Sequence, residues 1–339
     1  MDMKTIWFLL LGVLITGYAI LDGFDLGVGV LHLFTRNAGE RRVSVNAIGP
    51  VWDGNEVWLL ASGGALFSVF PAAYATLLSA FYLLFILLLA SLIFRAVSLE
   101  FRNKAPSAGW QYFWDWSFGL GSLISSLLFG VMTGNIIKGI PINKDGVFTG
   151  NLFSLLNPYS ILTGILCLFI FVMHGSIYMT LKTEEIMLKR MKRFACISWI
   201  VLIILYINTV ISTLFISPFL FDRLRNNPFS WIIMIVLITS IFYIPVAVRI
   251  EKYSRAFMAS SIMIACTTGL TGLGLFPLLV PSDTDHSYSL SINNASAGPR
   301  TLTALFIISL LSLPLVIGYT IYIHRVFRGK VVISDESHY

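Results

Sequence analysis

The sequence predicts an all-α polytopic membrane protein, on the basis of its composition and the spacing of its apolar runs. Of its 339 residues, 57% are hydrophobic and 12% are charged, whereas a soluble domain carries about 25% charged residues. Apolar runs of about 20 residues, long enough to cross a hydrocarbon core as an α-helix, recur along the chain. The net charge of +6 comes from short basic clusters between these runs, which indicates topology signals and excludes nucleic-acid binding.

Nine transmembrane helices are predicted, and Pro71 sets the boundary that hydropathy leaves open. Helices rarely continue through the residue before a proline, so residues 70–72 suit a tight hairpin between two spans. We predict one integral membrane domain over residues 1–339, with one four-helix bundle in 1–137, a second in 158–279 and a peripheral ninth helix. The predicted spans are residues 5–34, 50–70, 72–101, 114–137, 158–182, 194–217, 229–249, 256–279 and 301–327.

The basic residues predict the orientation of the chain. Seventeen of the 23 Lys and Arg residues lie on the side that holds the loop after the first helix, and such an excess marks cytoplasmic loops. The N-terminus is therefore predicted outside, and the C-terminus, with His324 and His338, in the cytoplasm. The seventeen are Arg36, Arg41, Arg42, Arg95, Arg102, Lys104, Lys182, Lys189, Arg190, Lys192, Arg193, Arg249, Lys252, Arg255, Arg325, Arg328 and Lys330.

Four carboxylic acids interrupt the first two predicted helices. Asp22 and Asp25 lie in the inward half of the first, and Asp53 and Glu56 in the first turns of the second. A charged carboxylate near the centre of a bilayer helix costs about 2.5–3.5 kcal/mol on insertion scales, so a partner or a function must offset each of them. We interpret them as a proton path or a cation site, and the alternative is pairing with buried cations, for which Arg95 is the nearest candidate.

The acids of the first helix belong to a polar stripe on one face. Its members stand at i, i+3, i+7 and i+10, a spacing that places side chains on the same side of a helix. Gly23 and Gly27 interleave with the stripe and remove side-chain bulk, which predicts that another helix or a file of water approaches the backbone. The stripe consists of Asp22, Asp25, Gly29 and His32.

Acids also lie at the predicted starts of the second and fourth helices. Asp53 and Glu56 follow Pro50 and lie near the positive end of the helix dipole, which offsets part of their cost and weakens the functional inference more for Glu56 than for Asp53. Asp115 lies among Trp110, Trp114 and Trp116 at the predicted start of the fourth helix, where tryptophans mark the membrane interface. We interpret Asp115 as an interfacial acid that meets the helix macrodipole.

No metal site and no catalytic residue are predicted in this chain. His174 follows Met173, but adjacent residues point to different faces of a helix, so they form no axial haem pair and His174 is interpreted as a satisfied core histidine. The three cysteines lack a CxxC pair or histidines at ligand spacing. Gly269–Gly274 has the spacing of a phosphate loop, but it lies within an apolar run, and helix packing is the better interpretation.

Two long motifs resemble subunit II of cytochrome bd quinol oxidases. They are residues 17–29, GYAILDGFDLGVG, and residues 52–59, WDGNEVWL. The resemblance extends over the whole chain. The shorter matches are Phe70-Pro71, Tyr74, Phe81-Tyr82, Trp114-Asp115-Trp116, Asn157-Pro158, Phe276-Pro277 and Pro281-Ser282.

The resemblance implies a role in an aerobic respiratory complex of the bacterial cytoplasmic membrane. Such a complex oxidises quinol and reduces oxygen to water, with haems b and d in subunit I. Subunit II is haem-free, is not catalytic alone, assists assembly and delivers cytoplasmic protons. A small accessory subunit is left open.

The resemblance also implies roles for particular residues. Acids matching Asp25 and Asp53 are associated with a proton path that crosses the subunit interface toward the haems. We place Asp22, His32 and Glu56 beside that path, although Glu56 is glutamine in some members. The tryptophan matching Trp52 lies where some members hold a structural quinone, and we include Trp58 in the same region.

Two other classes of function stay open at the level of the sequence. A proton- or cation-coupled transporter would use intramembrane acids in the same way, but it would need a central substrate site and broken helices in matching halves. A scaffolding subunit would use the acids as assembly contacts, so their replacement would lower the yield of the complex and not its turnover.

Overall fold

The chain folds as a series of long helices with one small β-ribbon, and the computed structural model describes residues 2–331. His338, predicted at the cytoplasmic end, lies outside the described residues. Strands β1 (Leu278–Val280) and β2 (Leu290–Ser291) pair antiparallel. The helices are α1 (Met3–His32), α2 (Ala38–Ile48), α3 (Trp52–Val69), α4 (Pro71–Ala80), α5 (Tyr82–Phe101), α6 (Ala108–Lys138), α7 (Leu152–Leu155), α8 (Pro158–Lys182), α9 (Glu185–Ile216), α10 (Pro218–Arg225), α11 (Pro228–Arg249), α12 (Tyr253–Leu275) and α13 (Pro299–Val326).

Within residues 2–331, eight helices are long and apolar enough to cross a membrane. A ninth span results if α3 and α4 are counted together, but the chain bends by 119° between these two helices. Pro71 occupies the first turn of α4, so the predicted helix boundary at this proline is confirmed. The eight are α1, α5, α6, α8, α9, α11, α12 and α13.

Several predicted helix bounds are wrong. The predicted helix 72–101 is divided at the buried Phe81, where ψ reaches 18°, although the Phe81 N–H still donates to the Leu77 carbonyl at 2.9 Å. The helix predicted from residue 194 begins at Glu185, and the one predicted from residue 114 begins at Ala108. Hydropathy marks the apolar part of a helix, whereas the hydrogen-bonded backbone continues into its polar flanks.

Glycines allow α1, α6 and α8 to pack closely at the centre of the protein. A Cβ on Gly27 would lie 1.9 Å from the carbonyl oxygen of Phe171, and one on Gly175 would lie 2.7 Å from the carbonyl carbon of Gly27. A Cβ on Gly29 would lie 1.9 Å from Ser122 Oγ. The close helix approach predicted from the glycines of the α1 stripe is therefore confirmed.

Helix α13 is hydrogen-bonded to the rest of the chain near its two ends. Leu302 is its buried residue among those described, and the Leu302 carbonyl accepts a hydrogen bond from Trp7 Nε1 at 3.0 Å. At the other end, Lys182 Nζ donates to the Phe327 carbonyl at 2.5 Å, and the Val331 N–H donates to the Lys182 carbonyl at 2.9 Å. The division of the chain into two bundles and a peripheral helix stays a prediction.

Candidate functional site

An arginine in the protein interior joins three helices near the middle of α1. Arg95 of α5 donates from Nη1 to Asp22 Oδ2 at 3.0 Å and from Nη2 to Asp22 Oδ1 at 2.5 Å. Its Nη1 also donates to Glu56 Oε1 of α3 at 3.0 Å. Arg95 and Asp22 are fully buried, and the Glu56 side chain is 24% exposed. We call these three residues the Arg95 cluster.

A glycine on α6 allows α5 to approach closely enough for Arg95 to reach α1. A Cβ on Gly121 would lie 2.6 Å from the Ser91 carbonyl oxygen and 3.2 Å from Arg95 Cβ. Because Gly121 has no side chain, the backbones of α5 and α6 approach closely, and the guanidinium reaches the carboxylate of α1. Arg95 stands six residues before the end of α5, in an otherwise apolar run.

Asp25 lies beside the Arg95 cluster but has a different partner. The amide Nδ2 of Asn55 donates to Asp25 Oδ2 at 2.7 Å and to the Leu21 carbonyl at 3.2 Å. Asp25 Oδ1 is buried and has no hydrogen-bond partner within residues 2–331, and no ion pair to Asp25 occurs in that range. Asp25 is thus a buried carboxyl group that is held by a neutral amide.

Asp53 lies apart from the buried acids. It is exposed in the first turn of α3, three residues before Glu56, whereas Asn55 is turned into the protein. The structure therefore gathers Asp22, Glu56 and Arg95, holds Asp25 next to them, and leaves Asp53 on the outer surface of the chain.

A second ionic cluster lies at the His32 end of α1. Asp115 Oδ1 is 2.9 Å from His32 Nε2 and accepts from Arg102 Nε at 2.5 Å, while Asp115 Oδ2 accepts from Arg41 Nη1 at 2.9 Å. These four residues, which we call the Asp115 cluster, join α1, α2, α6 and the residue that follows α5. The interpretation of Asp115 as a helix-start acid is wrong, because α6 begins seven residues earlier, at Ala108, and Asp115 is buried; its depth at the membrane interface stays a prediction.

His174 is a satisfied core histidine, as the sequence predicts. Its Nδ1 lies 2.7 Å from Ser260 Oγ, its Nε2 lies 3.0 Å from the Ile20 carbonyl oxygen, and its ring stacks on Phe257 with centroids 4.7 Å apart. Both ring nitrogens are therefore engaged.

The glycine-rich run at residues 269–274 lies inside α12 and forms no phosphate loop. Packing explains Gly274, where an added Cβ would lie 3.1 Å from Leu220 Cγ. It does not explain Gly269 or Gly272, because a Cβ there meets nothing within 4 Å in the described part of the chain.

Trp58 borders an apolar crevice of about 300 Å³ between α1, α3 and α13. The indole packs on Gly17, where a Cβ would lie 2.2 Å from Trp58 Cε3. Trp58 Nε1 is buried and has no hydrogen-bond partner in residues 2–331. The crevice is also lined by Leu14, Ala61, Leu305 and Leu313. Trp52 is half-buried and lies outside this lining.

The sequence motifs located the acids but missed most of their partners. Asn55, Arg41 and Arg102 had no assigned role in a site, whereas Arg95 was the nearest candidate cation for the acids, and the structure pairs it with Asp22 and Glu56. For Asn55 a signal was available, because an amide in the first turns of a predicted span must find a partner when it is buried. No such signal distinguishes Arg41 from its neighbour Arg42.

The fold and these clusters define a polytopic membrane protein with ionisable groups held between its helices. The model of the family described as cytochrome bd terminal oxidase subunit II matches residues 3–327. The chain belongs to this family. It is accordingly a subunit of a bacterial quinol oxidase of respiratory electron transport and a multi-pass membrane protein.

Individual relatives resemble the chain over nearly its full length. It is 35% identical to cytochrome bd ubiquinol oxidase subunit 2 of Bacillus subtilis, covering 100% of this chain and 99% of the relative. It is 32% identical to cytochrome bd-I ubiquinol oxidase subunit 2 of Escherichia coli, covering 98% and 96%. A chain in the structure of bd oxidase from Geobacillus thermodenitrificans has the same fold, with a TM-score of 0.80 at 17% identity over 96% of this chain and 99% of that one.

Proposed function

We propose that this chain is the haem-free subunit of the oxidase and that it delivers cytoplasmic protons to the oxygen-reducing haems b and d of the partner subunit I. The proposal includes a role in assembly and a location in the bacterial inner membrane. Quinol and oxygen are the substrates of the complex, and the isolated chain has no catalytic role of its own. The observation that carries the proposal is the state of Asp25, a buried carboxyl group with a neutral partner and one unpartnered oxygen within residues 2–331.

A buried carboxyl group without a cation is suited to proton transfer. Burial disfavours its charged form, whereas an adjacent cation would favour that form and hold it ionised. Asp25 accepts a hydrogen bond from Asn55 through one oxygen. Its other oxygen can carry a proton without breaking an ion pair in the described part of the chain. Ionisable groups within membrane helices commonly form proton relays.

Asp53 is the proposed surface member of the route, in the first turn of α3. It is exposed on α3, and Asn55, two residues further on, holds Asp25 from the same helix. Helix α3 therefore carries both Asn55, which holds the buried Asp25, and Asp53, which is exposed on the surface of the chain. The excess of basic residues in alternate loops predicts which side of the chain is cytoplasmic, and the entrance of the route is proposed on that side. Asp22, Glu56 and His32 border this route in ion pairs.

Both ring nitrogens of His174 are engaged, so this core histidine offers no free nitrogen to a haem iron. For a structural quinone, the crevice beside Trp58 fits in its apolar walls, and Trp58, one of the lining residues, has an indole N–H without a partner in residues 2–331. A quinone bound there would supply apolar contacts that hold α13 against α1 and α3. Trp52 lies outside the lining of this crevice, and its place beside a quinone stays a prediction.

Replacement of Asp25 or Asp53 by asparagine in the whole complex tests proton delivery. We expect oxygen consumption per complex to fall by at least about tenfold in each variant, since a positioned proton-transfer group contributes about 10²–10⁴-fold. The haem absorbance spectrum should remain that of the wild type. Asp222→Asn is the matched control, because Asp222 is an exposed acid on α10.

The same variants separate the proposal from its alternatives. Normal turnover of both Asp25→Asn and Asp53→Asn complexes would exclude proton delivery by these residues. A lower yield of complex with normal turnover per complex would favour a scaffolding role.

A further inference from the structure

Arg95 binds its two carboxylates unequally. It meets Asp22 with two parallel bonds, at 2.5 and 3.0 Å, and Glu56 with a single bond at 3.0 Å. A bidentate arginine–carboxylate pair is stronger and more specific in geometry than a single contact. Asp22 and Arg95 are also fully buried, whereas Glu56 is partly exposed. Asp22 is therefore the primary partner of Arg95.

The two aspartates of the α1 stripe consequently differ. They are three residues apart and both fully buried, but Asp22 has both oxygens bound by a guanidinium and Asp25 has one oxygen bound by an amide. Protonation of Asp22 would disrupt two charge-assisted bonds and leave Arg95 with Glu56 as its partner. Protonation of Asp25 disrupts no ion pair within residues 2–331.

We propose that Arg95 is a positioning residue that fixes Asp22 as a permanent counter-ion and leaves Asp25 as the proton carrier of α1. This assignment rests on the proposed function, and it removes Asp22 from the set of groups that exchange protons. The charges of Asp22 and Arg95 largely cancel at the position of Asp25. The field of the pair at Asp25 is therefore much weaker than that of a lone charge at the same distance.

Neutralising the pair in one step tests the assignment. In the whole complex, Asp22→Asn leaves the Arg95 charge to Glu56 alone, and Arg95→Gln leaves two carboxylates, the buried Asp22 and the partly exposed Glu56, without their cation. Each single change should therefore lower the yield of assembled complex, which is measured as the haem absorbance of the membranes. The double variant Asp22→Asn/Arg95→Gln removes both fully buried charges together and leaves only the partly exposed Glu56 without its cation, so the yield should recover above that of either single variant, as expected for residues that couple directly.

The turnover of the recovered double variant gives the decisive measurement. As a counter-ion Asp22 carries no proton, so oxygen consumption per complex should lie within about threefold of wild type, a change of about 0.6 kcal/mol. Asp25→Asn, prepared in parallel, should be slower by at least about tenfold. A recovered double variant that is as slow as Asp25→Asn would overturn the assignment, because Asp22 would then be needed for proton transfer.

Charge-conserving variants decide the question if the double variant does not accumulate. Arg95→Lys and Asp22→Glu keep both charges, so a fixed pair predicts that each complex follows the wild-type pH profile of turnover. A displacement of that profile by more than about one pH unit in Asp22→Glu would show that residue 22 titrates during turnover, against the assignment. Normal turnover of Asp25→Asn would refute proton delivery itself and not the Asp22–Arg95 pairing, which the yields test separately.

Discussion

The two buried ionic clusters along α1 have opposite balances of charge. The Arg95 cluster has two carboxylates for one guanidinium, and Asp25 lies beside it as a third acid. The Asp115 cluster has one carboxylate for two guanidinium groups and an imidazole. The first cluster therefore has more acids than it can neutralise, and the second has more donors than its acid needs.

This difference indicates which cluster can exchange protons. Both oxygens of Asp115 are bound by cationic donors, so its carboxylate has every reason to stay ionised and to hold the surrounding helices together. The acids around Arg95 include one oxygen, Asp25 Oδ1, that lacks a partner in residues 2–331. A surplus of acids permits a change of protonation, whereas a surplus of cations fixes the charge.

The largest expected effect is on stability, from Asp115→Asn. One amide group cannot accept from the imidazole and both guanidinium groups, so the buried Arg102 and His32 lose their counter-charge. Breaking a buried ion pair from one side costs about 3–5 kcal/mol. Thermal unfolding of the purified complex should occur at a clearly lower temperature, and the yield of complex should fall.

Asp145→Asn is the control for this prediction, because Asp145 is an exposed acid in the loop that follows α6. An Asp115→Asn complex with wild-type thermal stability and slow turnover would contradict the comparison, because the Asp115 cluster would then serve proton transfer instead of structure.

The sequence predicted the features that depend on local chemistry. Apolar runs located the membrane helices because their length and composition are set by the hydrocarbon core. Pro71 marked a helix boundary because proline lacks an N–H and restricts the residue before it. Gly27 indicated close packing because an α-helix gains little from glycine unless another backbone approaches it.

The ion pairs could not be predicted in this way, because they depend on which helices are neighbours. Arg95 and Asp22 are 73 residues apart, and Asp115 and His32 are 83 apart. Hydropathy gives the order of the helices along the chain and not their arrangement in the membrane. The error in the start of α6 had a direct consequence, since it placed Asp115 in a first turn when the structure has it seven residues further along.

An intermediate effect is expected from Asn55→Ala, which acts on the acid-rich side of the comparison. The change removes the amide that donates to Asp25 Oδ2 and to the Leu21 carbonyl. Leaving a buried acceptor without its donor costs about 1–3 kcal/mol. Because Asp25 also loses its orientation, oxygen consumption per complex should fall by about 3- to 10-fold, which is a barrier increase of about 0.6–1.4 kcal/mol.

Asn135→Ala provides the matched control for Asn55. Asn135 is also a buried amide that donates to two backbone carbonyls, those of Val131 and Leu155, but it has no carboxylate partner in the described residues. We expect a similar loss of thermal stability with normal turnover. Equal turnover in both variants would show that Asn55 is only structural.

The smallest expected effect is from Arg41→Gln, and it tests whether the Asp115 cluster really has surplus cations. Arg41 is 31% exposed and makes one bond to Asp115 Oδ2, while His32 and Arg102 remain bound to the same carboxylate. Because the Arg41 side of this pair is partly exposed and screened by water, we expect it to contribute about as little as a surface pair, about 0–1 kcal/mol, so thermal stability should change no more than in Arg42→Gln, an exposed neighbour. Arg102→Gln should be clearly more destabilising, because Arg102 is buried. A loss for Arg41→Gln equal to that for Arg102→Gln would mean that Asp115 needs both guanidinium groups, and the contrast between a saturated and an unsaturated cluster would then fail.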